Sequence, residues 1–88
     1  MDIDYQGPEF ITWQISNRVG AAHHKASLAG KERPEVQAAV ADAEAALERA
    51  CQILEEFRAG RLTREEARSN LHKEHRIASS AAWTGSIR

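Results

Sequence analysis

The chain has 88 residues and a mass of 9.8 kDa, enough for one domain with a small core. Its composition is 42% hydrophobic and 28% charged, which argues against disorder, and its net charge of −1 argues against a generally basic protein that coats nucleic acid. No apolar run approaches the length of about 18 residues that a membrane span needs. The acidic start lacks a signal-peptide pattern, and the single cysteine, Cys51, cannot form an internal disulfide. We therefore expect a soluble cytoplasmic protein.

Proline and glycine residues divide the chain into helical segments. Pro8 and Pro34 each precede a glutamate, and a proline is favoured at the first position of a helix. Gly30 and Gly60 stand where the first two helices should close, because glycine tolerates the left-handed conformation that follows a helix. No alternating strand pattern competes with this interpretation. The predicted helices lie near 8–29, 34–59 and 63–82.

The third predicted helix begins at a capping box, in which Thr63 is the N-cap and Glu66 can return a hydrogen bond to it. The single helical domain then covers 1–88, with tails at 1–7 and 83–88. Trp83 begins the second tail, and the sequence leaves open whether it packs onto the bundle or stays free.

Apolar spacing predicts how the helices pack. Sixteen of the hydrophobic residues are alanine, which predicts a thin core with closely spaced backbones. Helix 2 carries a heptad seam, which Ala39, Ala46 and Ile53 widen on one side and Cys51 widens on the other. Helices 1 and 3 each carry a matching face. Short connections make neighbouring helices antiparallel, so we predict an all-α fold, a small antiparallel three-helix bundle. The weaker face of helix 3 leaves room for completion by homodimerisation. The helix 2 seam comprises Val36, Val40, Ala43, Leu47, Ala50, Leu54 and Phe57; the helix 1 face comprises Ile11, Ile15, Val19, Ala22, Ala26 and Ala29; the helix 3 face comprises Ala67, Leu71, His75, Ala78 and Ala82.

Helix 1 has a second stripe, opposite its core face, with the same three- and four-residue spacing. Gly20 lies in its middle, where a glycine costs about 1 kcal/mol relative to alanine and permits close approach of another backbone. Aromatic residues in a row on a surface are typical of interaction sites. Alternatively, the two aromatic residues cover one end of the bundle, or the N-terminal tail with Tyr5 folds over them. The candidate partner-binding residues are Phe10, Trp13, Asn17, Gly20, His24 and Leu28.

One flank of helix 3 is basic and offers a second candidate site, for nucleic acid. A row of arginines can follow phosphates, but Glu65 interrupts the row and Glu66, Glu74 and the net acidic charge of the chain oppose it. No aromatic residues lie between the arginines for base stacking. Packing of this flank on the acidic helix 2 is the structural alternative. The residues are Arg61, Arg68, His72 and Arg76.

Metal and catalytic sites have weaker support. The four histidines and Cys51 are not expected to converge as three or four ligands, because adjacent His23 and His24 diverge by about 100° and His72 points away from the core. We expect no metal and no cofactor. Ala-rich seams leave no room for a catalytic pocket, so we expect a non-enzymatic protein that binds another protein, such as a regulator, an adaptor or a phage or mobile-element inhibitor of a host machine. Nucleic-acid binding and a structural homo-oligomer are the alternatives.

Overall fold

The computed structural model of the chain describes residues 7–30 and 32–87, with side chains described as far as Ala82. Three helices run in the order α1 (Pro8–Ala29), α2 (Pro34–Arg58) and α3 (Arg64–Ile87), and each packs against the other two. No strand is present in these ranges. The predicted all-α three-helix bundle is thus confirmed.

The helix ends follow the predicted signals. After α2, the Gly60 N–H donates to the Phe57 carbonyl at 3.0 Å and the Arg61 N–H donates to the Glu56 carbonyl at 2.9 Å. Gly60 has a φ of +83°, so this is the Schellman arrangement that glycine favours. Before α3, the Glu66 N–H donates to Thr63 Oγ1 at 3.1 Å. In return, the Thr63 N–H donates to the Glu66 carboxylate at 2.9 Å. The predicted capping box is therefore present.

The third helix is longer than predicted. Its backbone stays helical to Ile87, five residues beyond the predicted end at 82. No proline stops it, and Gly85 lowers helix stability without breaking the backbone. The segment predicted as a tail thus continues the helix, whereas the question of whether Trp83 packs onto the bundle concerns a side chain outside the described residues.

The core is built around alanine. The two buried clusters contain only four side chains larger than alanine. On α2, Val36 is buried, whereas the other large aliphatic and aromatic residues lie half-buried beside the seam. The buried face of α2 is rotated toward the side on which Ala39 and Ala46 widen the predicted seam, so both are buried while Val40 and Leu54 are half-buried. The same rotation exposes Cys51, which was predicted at the core edge. The clusters contain Ile11, Ile15, Ala46, Ala50, Leu71 and Ala78 at one end, and Val19, Ala22, Ala39, Ala43, Ala81 and Ala82 at the other.

Ion pairs between α2 and α3 differ from the expected pairing of an acidic α2 with a basic α3. One cross-helix pair has the opposite polarity, with Arg49 Nε of α2 donating to the Glu74 carboxylate of α3 at 2.8 Å. Arg61 pairs with Glu56 where the chain turns between the helices. The charges on these two helices are therefore interleaved rather than segregated.

Among the described helices, none combines the length and the apolar character that crossing a bilayer requires.

Candidate protein-binding face

The second stripe of α1 lies on the surface, as its spacing predicts. Trp13 is 58% exposed and Leu28 is 76% exposed, whereas Ile15 on the opposite side of the helix is fully buried. Phe10 is half-buried. Asn17, Gly20 and His24 lie between these apolar ends and are also exposed. The structure therefore brings the six predicted residues together on one face, which we call the outer stripe: Phe10, Trp13, Asn17, Gly20, His24 and Leu28.

The outer stripe has a pair of aromatic side chains at one end and unoccupied space around the glycine at its middle. The rings of Phe10 and Trp13 pack together with their centroids 5.4 Å apart, which forms one aromatic unit near the start of α1. A Cβ added to Gly20 would meet nothing within 4 Å. The fold of this chain therefore does not require glycine there, and the backbone at the middle of the stripe is accessible to another molecule.

No Asp, Glu, Lys or Arg belongs to the outer stripe, although 28% of the chain is charged. The charges of α1 lie at its edges. On the edge facing α2, the Glu9 carboxylate lies 3.3 Å from an Arg58 nitrogen, and His23 Nε2 lies 3.4 Å from the Glu44 carboxylate. We call this edge the paired edge, because the Glu9 and Glu44 carboxylates there already have partners.

The edge facing α3 is cationic. Arg18 is exposed and Lys25, two helical turns further along the same side, is half-buried. Neither forms an ion pair with any described residue. We call Arg18 and Lys25 the cationic rim.

His75 marks the boundary between α1 and α3 at this rim. Burial lowers the pKa of His75 below its ordinary value of 6.5, and the nearby Arg18 and His72 lower it further. Its Nε2 is buried and has no hydrogen-bond partner among the described residues, and the same holds for Arg68 Nε and Ser79 Oγ. These three atoms belong to positions spaced by seven and four residues, so unmet hydrogen-bonding capacity follows this side of α3.

The candidate nucleic-acid residues are partly occupied by carboxylates. Arg61 pairs with Glu56, and Arg68 contacts the Glu65 carboxylate at 3.1 Å. His72 and Arg76 are exposed. The arginine row therefore alternates with acids instead of presenting an uninterrupted cationic surface.

Within the part of the chain that the structure describes, no group of three or more His, Cys, Asp or Glu side chains lies close enough together to hold a metal ion. The histidines occur on two helices, and His23 is engaged with Glu44.

Two of the shallow grooves between helices lie on either side of α2. The larger, of about 470 Å³, separates α2 from α3 and is lined by Ile77 together with Asp42 and Arg76. Ile77 is 40% exposed. The smaller, of about 340 Å³, separates α1 from α2 and includes His23 and Glu44. Ile77 and the cationic rim were not among the residues that the sequence predicted to form a site. The helical positions of Arg18 and Lys25 relative to the outer stripe were nevertheless available from their spacing.

The fold and this face define the chain as a three-helix bundle with a helical face that lacks Asp, Glu, Lys and Arg. No protein-family model, curated protein or solved structure matches the chain.

Proposed function

We propose that this protein is a small non-enzymatic binding protein, acting as a regulator, adaptor or inhibitor of another protein through the outer stripe of α1. The observation that carries the proposal is the exposure of Trp13 and Leu28 on a face without formal charge. A bundle of three helices needs one buried face on α1, and that face is supplied by residues on the opposite side, such as Ile15.

Two features support docking of another protein at this stripe. The Phe10–Trp13 pair offers the kind of aromatic anchor that dominates binding energy at interfaces, where truncation of a central residue costs about 2 kcal/mol or more. The open backbone at Gly20 allows a partner helix to approach closely at the centre of the stripe. The charged groups at both edges resemble the polar rim that surrounds the apolar centre of an interface.

The nucleic-acid alternative has less support because acids accompany Arg61 and Arg68. Titration of DNA and RNA at two salt concentrations tests it, since phosphate binding weakens steeply as salt rises. Binding at low salt that disappears in Arg68→Ala and Arg76→Ala variants would favour this alternative over protein binding.

The proposal is tested by capture of partners from the native host with three forms of the full chain. These are the wild type, the double variant Phe10→Ala/Trp13→Ala, and Ile77→Ala as a matched control. Ile77 is the control because it is another exposed large apolar residue, located on α3. A captured protein is then purified and its affinity for each form is measured by calorimetry.

We expect a partner that binds the wild type and the Ile77→Ala variant equally and loses at least about thirtyfold in affinity for the double variant, which corresponds to the loss of an aromatic anchor. Equal binding to all three forms would refute the role of the outer stripe. Circular dichroism confirms that each variant keeps its helical content.

A further inference from the structure

We propose that the occupant of the outer stripe is an amphipathic helix of another protein with acidic residues along one flank, which pair with Arg18 and Lys25 of the cationic rim. This inference rests on the proposed function and adds the chemistry and the orientation of the partner. It follows from the difference between the two edges of the stripe.

The two edges of α1 differ in what they can still bind. On the paired edge, Glu9 and Glu44 already lie within 3.4 Å of Arg58 and His23. On the other edge, Arg18 and Lys25 have no carboxylate within ion-pair distance among the described residues. A partner therefore gains charge complementarity only from anions placed on the α3 side of the stripe.

The spacing of the stripe fits a helix as the occupant. Its residues recur at intervals of three and four over nearly the whole of α1, which is the pattern that lies against a second helix with similar spacing. The small central residue Gly20 lies between larger side chains at both ends, so two helices can cross closely there. The apolar face of the partner covers Trp13 and Leu28 while its acidic flank follows the rim.

A second copy of this chain offers poor charge complementarity to the cationic rim. In an antiparallel two-fold pair of α1 helices, like edges meet, so Arg18 and Lys25 of one copy face the same cations of the other. In a parallel pair the rim meets the paired edge, whose carboxylates on Glu9 and Glu44 are already engaged. Neither arrangement supplies free anions, so charge complementarity favours a different, acidic partner.

The test is a selection from a displayed library of 21-residue helical peptides against the full chain. The peptides carry leucine at positions of three- and four-residue spacing, and each flanking position is randomised among Glu, Gln and Lys. A synthetic peptide from the enriched pool is titrated by fluorescence anisotropy against the wild type, Trp13→Ala, and the double reversal Arg18→Glu/Lys25→Glu. The matched control, Lys73→Glu/Arg76→Glu, makes the same change in net charge on exposed positions of α3.

We expect enrichment of peptides with glutamate on one flank. Their affinity should fall for Trp13→Ala and fall about tenfold for Arg18→Glu/Lys25→Glu, with little change for the control. Raising the salt concentration should weaken binding to the wild type but not to the double reversal.

Failure of the acidic-partner inference and failure of the proposed function would give different results. Peptides that need Trp13 but show no glutamate bias, or that ignore Arg18→Glu/Lys25→Glu, overturn the acidic partner and leave the proposed function standing. Failure to enrich any peptide that depends on Trp13 overturns both. Concentration-dependent dimerisation that Trp13→Ala abolishes, measured by sedimentation velocity with a reductant present, assigns the stripe to a second copy and overturns the inference.

Discussion

Replacing Gly20 with alanine should stabilise the protein. Gly20 lies within α1 and is not among the glycines with positive φ, which are Gly30 and Gly60. A Cβ at this position meets nothing within 4 Å, so alanine adds no steric strain. Because glycine loses more backbone freedom than alanine when a helix forms, the expected gain in the free energy of unfolding is about 0.8–1.0 kcal/mol.

This gain is large enough to measure in a chain of this size. Globular proteins gain about 2.1 cal/mol/K of entropy per residue on unfolding, which for this chain of 88 residues amounts to about 0.18 kcal/mol/K. A stabilisation of about 0.9 kcal/mol therefore raises the Tm by about 5 °C. Urea denaturation followed by circular dichroism gives the free energy directly, and differential scanning calorimetry gives the Tm.

Gly60 provides a matched control. A Cβ at Gly60 also meets nothing within 4 Å, but its φ of +83° is one that alanine rarely adopts. Gly60→Ala should therefore destabilise the protein by about 1–2 kcal/mol, in the opposite direction to Gly20→Ala. If Gly20→Ala leaves the Tm unchanged or lowers it, then the middle of the outer stripe is already covered and the reasoning fails.

Three further predictions concern the core, pH and capping. Ala46 is fully buried, so Ala46→Leu should lower the free energy of unfolding by about 1–3 kcal/mol in urea titrations. Ala41→Leu, on the exposed side of α2, should change it by less than about 0.5 kcal/mol. Equal effects of the two substitutions would contradict the close packing of alanines. Because the pKa of His75 is lower in the folded protein, the unfolded chain binds a proton more readily than the folded one, and stability should fall as the pH drops below 6.5. In thermal melts, the Tm of His75→Gln should depend less on pH than the Tm of His24→Gln. Identical pH profiles of the Tm for the two variants would refute this. Thr63→Ala removes the side-chain half of the capping box and should cost about 1 kcal/mol by urea denaturation; a neutral effect would show that α3 does not depend on it.

Features that belong to one helix were predictable from the sequence. Pro8 and Gly30 bracket α1 where the structure begins and ends it, and the spacing of its residues separates the buried Ile15 from the exposed Trp13. These predictions succeed because helical periodicity alone determines which residues share a face, before any neighbour is considered.

Features that depend on how helices meet were not predictable in the same way. The rotation that buries Ala46 more deeply than Leu54 is decided by how closely the backbones approach, which favours small side chains at the contact. The cationic rim depends on which side of α1 the third helix occupies. A three-helix bundle has two possible hands with the same periodicity, so the sequence pattern alone does not place Arg18 beside His75.

The exposed thiol of Cys51 allows the protein to be labelled so that partner binding can be followed by fluorescence. It belongs to α2, so it lies outside the outer stripe, and it is the chain's only cysteine. A maleimide dye attached there would give one fluorophore per molecule at a defined site, without altering any residue of α1. Energy transfer from this dye to a labelled partner would then report the direction in which the partner lies along the bundle.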